Sequence, residues 1–248
     1  MSENFWIGGK HAVREAVTNP KRSVVKIFLN EDQYNDFLFL KNKTRKNFSI
    51  EIKTSKQIDQ IFKNNSFKHQ NIASLVKKIP EITIKEKIQE LNSKHNSVII
   101  ILDNITDQRN IGSIIRSSVA FNVDAIVILK KNFSYSSYGI YKSASGGMEH
   151  ISVITVTNIV QAIELLKKNN YWVLGLDHHA NKKINSIDVK QKIALVFGSE
   201  DKGIRELVKK NCDETIKIEI NKSINSLNVS NACSASLAVI NHKLDEKN

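Results

Sequence analysis

Apolar and polar positions along the chain fall into two regimes. Through residues 1–76, short segments of helical and strand-like period alternate: GKHAVREAV, YNDFLFLKNKT and KQIDQIF read as helices, and VVKIFL, FSIEI and IASLV as strands. This predicts a small α/β unit. The run KKIPEITIKEKIQELNSKHN that follows contains Pro80 and then a charged helical stretch poor in apolar residues, so 77–97 reads as a linker whose helix is partly packed. Beyond it, VIIILD, AIVIL, YWVLGL and IALVFG are nearly pure apolar runs of strand length with helical segments between them. Continuous apolar strands alternating with helices predict a parallel sheet covered on both faces, so residues 98–248 read as a second α/β domain.

Composition narrows the class. With 248 residues, 41% hydrophobic and 25% charged, the chain carries enough apolar material for one large core or two smaller ones, which excludes disorder as a whole-chain state. No apolar run approaches the roughly 18 to 20 residues of a membrane span, and MSENFWIGGK lacks the pattern of a signal peptide, so a cytoplasmic protein is expected. Cys212 and Cys233 stand outside any CxxC pair and read as ordinary buried thiols, and no metal site is expected.

Charge changes the picture further. A formal +12 and a pI near 9.5 suit a polyanionic partner, although a Lys- and Asn-rich composition also follows from AT-rich coding. Residues 1–97 carry 18 basic and 10 acidic side chains, and residues 98–248 carry 19 and 15, so the front of the chain holds most of the excess. Arginine is scarce, and two of the six, Arg109 and Arg116, stand seven residues apart.

In open parallel sheets, ligands bind beyond the carboxyl ends of the strands, so the loops after the apolar runs are where chemistry is sought. The first, DNITDQRNIGSIIRSS, has a single glycine, Gly112, and so lacks a GxGxxG fingerprint. Asn110 there reads as preceding a helix that begins near Gly112, with Arg116 one turn in, either converging on an anion or acting as an N-cap and a surface cation. The second loop, FGSEDKG, places Glu200 between Gly198 and Gly203, which fits a turn that lets a ligand approach the backbone or a carboxylate near a helix N-terminus. The third, SINSLNVS, packs three hydroxyls and two amides into eight residues ahead of a helix starting at about Val229, with Ser226 and Asn228 flanking Leu227. A turn held by side chain to backbone bonds has the same look.

Taken in order, NIGSIIRSS, LVFGSEDKG and SLNVSNA strongly resemble the three motifs of SpoU/TrmH-type RNA ribose 2′-O-methyltransferases, and GGKHAVREAV with HQNIASLV resembles the L30e-like RNA-binding domain that precedes the catalytic domain in the RlmB-like branch. The resemblance implies an α/β fold whose C-terminal parallel-sheet domain is of SPOUT type with a deep trefoil knot, S-adenosylmethionine bound in the knotted loops, and a homodimer with its active site at the knot interface. It implies domains at 1–76 (L30e-like, RNA-binding) and 98–248 (catalytic). By motif position it assigns Asn110, Arg116, Glu200, Ser226 and Asn228 to the reacting ribose and donor, and Gly198, Ile218 and Leu227 to the cofactor.

Three positions depart from the family pattern: Gln108 and Glu219 stand where proline is usual, and Asn71 where glycine is common after His69 and Gln70. The two-domain layout implies a guanosine in large-subunit (23S) rRNA as target. A tRNA substrate, or a non-catalytic RNA-binding role in ribosome assembly, are the competing readings. Because a guanidinium is a poor general base at neutral pH, Arg116 is expected to orient a phosphate and stabilise the developing alkoxide, and Glu200 to orient Arg116 or the substrate.

Overall fold

The structure is a computed structural model that describes residues 4–62, 68–221, 223, 224 and 226–247. In chain order its elements are β1 (Asn4–Gly8), α1 (Lys10–Thr18), β2 (Val24–Leu29), α2 (Glu31–Thr44), β3 (Ser49–Ile52), α3 (Ser55–Asp59), β4 (Ile72–Lys77), α4 (Ile84–Glu90), β5 (Ser97–Asp103), α5 (Gln108–Ala120), β6 (Ala125–Leu129), α6 (Tyr138–Ala144), β7 (Ser152–Val156), α7 (Ile159–Lys168), β8 (Trp172–Leu176), β9 (Lys182–Lys183), β10 (Lys192–Gly198), α8 (Glu206–Asn211), β11 (Glu214–Lys217) and α9 (Val229–Asp245). No helix among the described residues is long and apolar enough to cross a membrane.

Two compact units form. The first comprises Met1–Pro80 together with Tyr135–His150, and the second Glu81–Ser134 with Ile151–Asn248. This division differs from the expected one at 1–76, 77–97 and 98–248 in two places. The charged helix of the linker, α4, sends Ile88 and Leu91 into the core of the second unit. The segment around α6 belongs instead with the first unit, and the reason is a buried ion cluster. Arg22 bonds Glu149 through Nε and Nη2, reaches the Tyr141 hydroxyl at 2.9 Å, and caps the Lys77 carbonyl at 2.8 Å. Both charged side chains are 1% exposed. Burial works against the Arg22 cation, but its bonds to Glu149 and Tyr141 outweigh this and hold its pKa above the ordinary value.

The sheet of the first unit has the order β1-β4-β2-β3, with β1 and β2 antiparallel to β4 and β3 parallel to β2. α1 packs on β1 and β4 through Ala12, Val13, Ala16 and Val17. The two front motifs meet here: the backbone N–H of Lys10 donates to Gln70 Oε1 at 2.9 Å. His69 is buried, with Nε2 on Asp59 at 2.8 Å and Nδ1 accepting from the backbone of Asn71 at 3.0 Å. Gln70 and Asn71 both have left-handed φ, 54° and 57°. Asparagine enters that region more readily than most residues, which explains how Asn71 stands in for a glycine.

The second unit is a seven-stranded sheet of order β7-β6-β5-β10-β8-β11-β9, parallel throughout. Ile99, Ile101, Val127, Val173 and Val196 form one buried face under α7 and α4. On the other side α5 packs against α9, with Ser117 Oγ and Ser234 Oγ 2.7 Å apart. Every residue of β5 is buried, as its unbroken apolar run predicts. Three strands escaped the sequence reading, among them the two-residue edge strand β9. β1 and β7 are edge strands whose short segments, NFWIG and SVITV, mix polar and apolar residues.

Candidate active site

β5 and β10 run side by side in register, so Asp103 at the end of one lies opposite Gly198 at the end of the other. The first turn of α5, the loop leaving β10 and the N-cap of α9 meet at this end of the sheet, and their polar groups form a closed triangle. Asn110 Nδ2 donates to Glu200 Oε1 at 2.5 Å, and Asn228 Nδ2 lies 3.0 Å from both Glu200 Oε1 and Asn110 Oδ1. One carboxylate oxygen thus collects two amide donors, each from a different motif. Asn228 is also the N-cap of α9, its Oδ1 accepting from the backbone of Ser230 at 2.9 Å and Asn231 at 3.4 Å.

The GSEDKG loop is shaped by its glycines. Ser199 and Gly203 exchange two backbone hydrogen bonds, of 3.1 and 2.8 Å, leaving Glu200 at the exposed tip. A Cβ on Gly198 would sit 2.0 Å from the carbonyl carbon of Gly203, so only glycine permits this closure. α8 begins at Glu206, with Arg205 as its N-cap residue, so Glu200 is not at a helix N-terminus.

Behind the loop lies a cavity of 560 Å³ lined by residues that include Leu176, Asp177, Gly198, Glu200, Ile218, Ser226 and Leu227. All three residues assigned to the cofactor line it, and Ser226 does too, whereas Asn110, Arg116 and Asn228 do not. Glu200 alone is common to the cavity and the triangle. Its wall is an even mix of apolar and polar side chains, its volume suits a nucleoside-sized ligand, and the donor set of backbone groups, Ser226 and the Asp177–Lys209 pair fits the base and amino-acid ends of S-adenosylmethionine. Burial pushes the Asp177 carboxyl up, but the Lys209 ammonium and the backbone of His179 outweigh it and leave the group below its ordinary value.

α5 corrects the expectation for the first motif. Its N-cap is Asp107, which accepts from the backbone of Arg109 at 2.7 Å, and the helix starts at Gln108. Asn110 is therefore inside the helix and not ahead of it, and Arg116 lies eight residues past Gln108, more than two turns in. Gln108 occupies the first helical position, where proline is well tolerated, so the departure there is conformationally mild. Arg116 is exposed and has no hydrogen bond or ion pair among the described residues; Glu200 orients the two asparagines instead of this arginine. Glu219 pairs with Lys183 at 2.6 Å and does not line the cavity.

The sequence reading missed one pair. Asp103 is fully buried at the end of β5 and accepts from the Arg205 backbone at 2.9 Å, its Nε at 2.8 Å and its Nη2 at 2.5 Å. This ties the strand ahead of the first motif to a residue two positions past the second. The available signal was the single acid closing the apolar run VIIILD.

A parallel sheet with three polar segments gathered beyond its strand ends, one beside a cavity, and a small α/β unit ahead of it, match the architecture that the resemblance to SPOUT-type RNA methyltransferases implies. The chain matches the SpoU rRNA Methylase family over residues 97–238 and the RNA 2′-O ribose methyltransferase substrate-binding family over residues 6–81, and it belongs to the SpoU rRNA methylase family. It is 31% identical over 252 residues to a TrmH family tRNA/rRNA methyltransferase of Staphylococcus epidermidis, covering 99% of each chain. Its fold is similar to that of an AdoMet-bound rRNA methyltransferase from Sinorhizobium meliloti (TM-score 0.79, 16% identity, 97% of this chain and 88% of the other). It also resembles the TrmH/SpoU tRNA modifying enzyme of A. aeolicus, over a smaller span (TM-score 0.55, 20% identity, 66% of this chain and 85% of the other).

Proposed function

We propose that the protein transfers a methyl group from S-adenosylmethionine to the ribose 2′-OH of a guanosine in large-subunit rRNA, acting as a homodimer. The observation that carries the reading is the convergence of Asn110, Glu200 and Asn228, one from each motif, beside the cavity lined by Gly198, Ile218, Ser226 and Leu227. S-adenosylmethionine, when bound there, supplies a methyl group activated by its sulfonium. The residues of the chain supply position, and holding the hydroxyl oxygen within about 3 to 3.5 Å of the methyl carbon accounts for most of the acceleration in such a displacement.

Glu200 and Asn228 fix the Asn110 amide, whose second Nδ2 hydrogen is left for an incoming ribose or phosphate oxygen, while Asn228 spends both of its Nδ2 hydrogens on Glu200 and Asn110 and its Oδ1 on the start of α9. Arg116, exposed and unpaired among the described residues, is available to an RNA phosphate and to the negative charge that develops on O2′ as its proton leaves. The partner subunit completes the acceptor side in this reading. An rRNA target is supported by the front unit: the S. meliloti rRNA enzyme covers nearly the whole chain, while the A. aeolicus tRNA enzyme covers two thirds of it.

The test is incubation of the purified protein with labelled S-adenosylmethionine and unmodified rRNA or tRNA, followed by mapping of the modified nucleotide. Label at the 2′-oxygen of an rRNA guanosine is the expected result. Label only in tRNA would select the tRNA reading, and label in neither would remove the enzyme reading.

A further inference from the structure

We propose that one face of the four-stranded sheet in the first unit is a stacking platform for unpaired RNA bases, built from Trp6 and Phe28 with Lys26 and Lys53 beside them. The inference rests on the RNA-methyltransferase reading and names the surface through which the front unit holds its substrate.

The strand register defines the face. Ile7, Ser74 and Ile27 stand opposite one another across β1, β4 and β2, and all three are buried. One residue along, the row is Trp6, Leu75 and Lys26, and all three are partly exposed. Successive strand residues point to opposite sides, so the second row belongs to the more open face. Phe28 lies two residues beyond Lys26 on that face, opposite buried Ala73 and next to Glu51 of β3. The Trp6 and Phe28 rings are 5.0 Å apart between centroids. The Lys26 ammonium stands 5.8 Å from the first ring and 5.1 Å from the second, and Lys53 approaches Phe28 at 5.3 Å. Glu51 lies on the same face and pairs with Lys53 at 3.1 Å.

Two adjoining aromatic rings with two ammonium groups match single-stranded nucleic acid in both of its parts. Bases stack on the rings regardless of sequence, and the phosphates between them meet the lysines. An apolar protein partner would have to desolvate the same lysines without offering an anion. The charge of the region agrees: residues 1–80 contain 15 Lys and Arg against 7 Asp and Glu.

The chain has two tryptophans, and Trp172 is 8% exposed in the second unit, so a Trp172→Phe background makes Trp6 the sole reporter. The probe is a short single-stranded oligoadenylate, compared with a duplex of the same length. Expected results are saturable quenching of Trp6 emission by the single strand, weaker quenching by the duplex, and a loss of affinity of about tenfold in Phe28→Leu. Lys26→Gln, a change at the surface, weakens binding in the same direction and raises KM for RNA with kcat preserved. Unchanged RNA affinity in both variants, in a parent protein that methylates RNA, overturns the platform alone. A parent that neither binds nor methylates RNA overturns the methyltransferase reading and the platform with it. Trp6 emission that follows protein concentration and ignores RNA overturns the proposal in favour of a second copy of this chain on the face.

Discussion

Asp103 and Arg205 form an unequal pair: the carboxylate is fully buried at the end of β5, while the guanidinium that answers it is half exposed. The inequality fixes which substitution costs more. Arg205→Ala leaves a buried charge with only the Arg205 backbone N–H for compensation, and a loss of about 3 kcal/mol is expected. Asp103→Asn removes the buried charge, keeps the shape and leaves Arg205 to water, with a cost of about 1 to 2 kcal/mol. Urea unfolding of both variants checks the order; equal losses would contradict it.

Gly198→Ala places a methyl group where the Gly203 carbonyl carbon already is, so the GSEDKG loop has to open. The expected outcome is a fold retained with weakened binding of S-adenosylmethionine, by at least about tenfold, read by calorimetry. Affinity equal to the parent would show that closure of this loop does not shape the cofactor cavity.

Arg116→Lys keeps the charge and removes the planar fork. If Arg116 holds a phosphate through two parallel N–H bonds, kcat falls by about tenfold or more while S-adenosylmethionine affinity is unchanged, because Arg116 does not line the cavity. Near-normal turnover in single-turnover assays would remove the bidentate role.

Within the first unit, Glu149→Ala leaves Arg22 buried without its counter-ion. A loss of about 3 to 5 kcal/mol is expected, seen as a lower denaturation midpoint of the full chain. The same cluster predicts that a fragment ending at Pro80 is less stable than the intact unit, since Glu149 and Tyr141 would both be missing.

The Asp177–Lys209 pair carries a pH dependence of definite sign. The Asp177 carboxyl is depressed in the folded state, so its contribution to stability is present above the ordinary aspartate value of about 4 and is lost as pH falls through the lower folded value. The stability difference between the parent and Asp177→Asn should therefore be constant near neutrality and shrink below about pH 4. A difference that does not change across that window would rule out the linkage.

Much of the fold was legible because fully buried parallel strands leave an unambiguous trace: VIIILD, AIVIL and IALVFG became β5, β6 and β10 nearly to the residue. The edge strands β1 and β7 left no such trace, since half-exposed residues interrupt their apolar pattern. The sequence offers both Asp107 and Asn110 as caps and so favours a start of α5 near Gly112, four residues beyond the observed one, and only tertiary packing turns Asn110 toward Glu200. The grouping of Tyr135–His150 with the first unit was invisible for a different reason. It depends on an ion pair between Arg22 and Glu149, 127 residues apart, and charge pairing over that distance leaves no periodicity.

Asn228 has two obligations, and together they restrict what can drift into its position. Starting α9 admits Asn, Asp, Ser and Thr almost equally. Donating to Glu200 admits far fewer: aspartate would set a second carboxylate against the first, and a serine or threonine hydroxyl stands one bond short of the amide nitrogen. A laboratory library at this codon, selected first for folding and then for methyl transfer, would thus narrow in two stages, from four residues to asparagine.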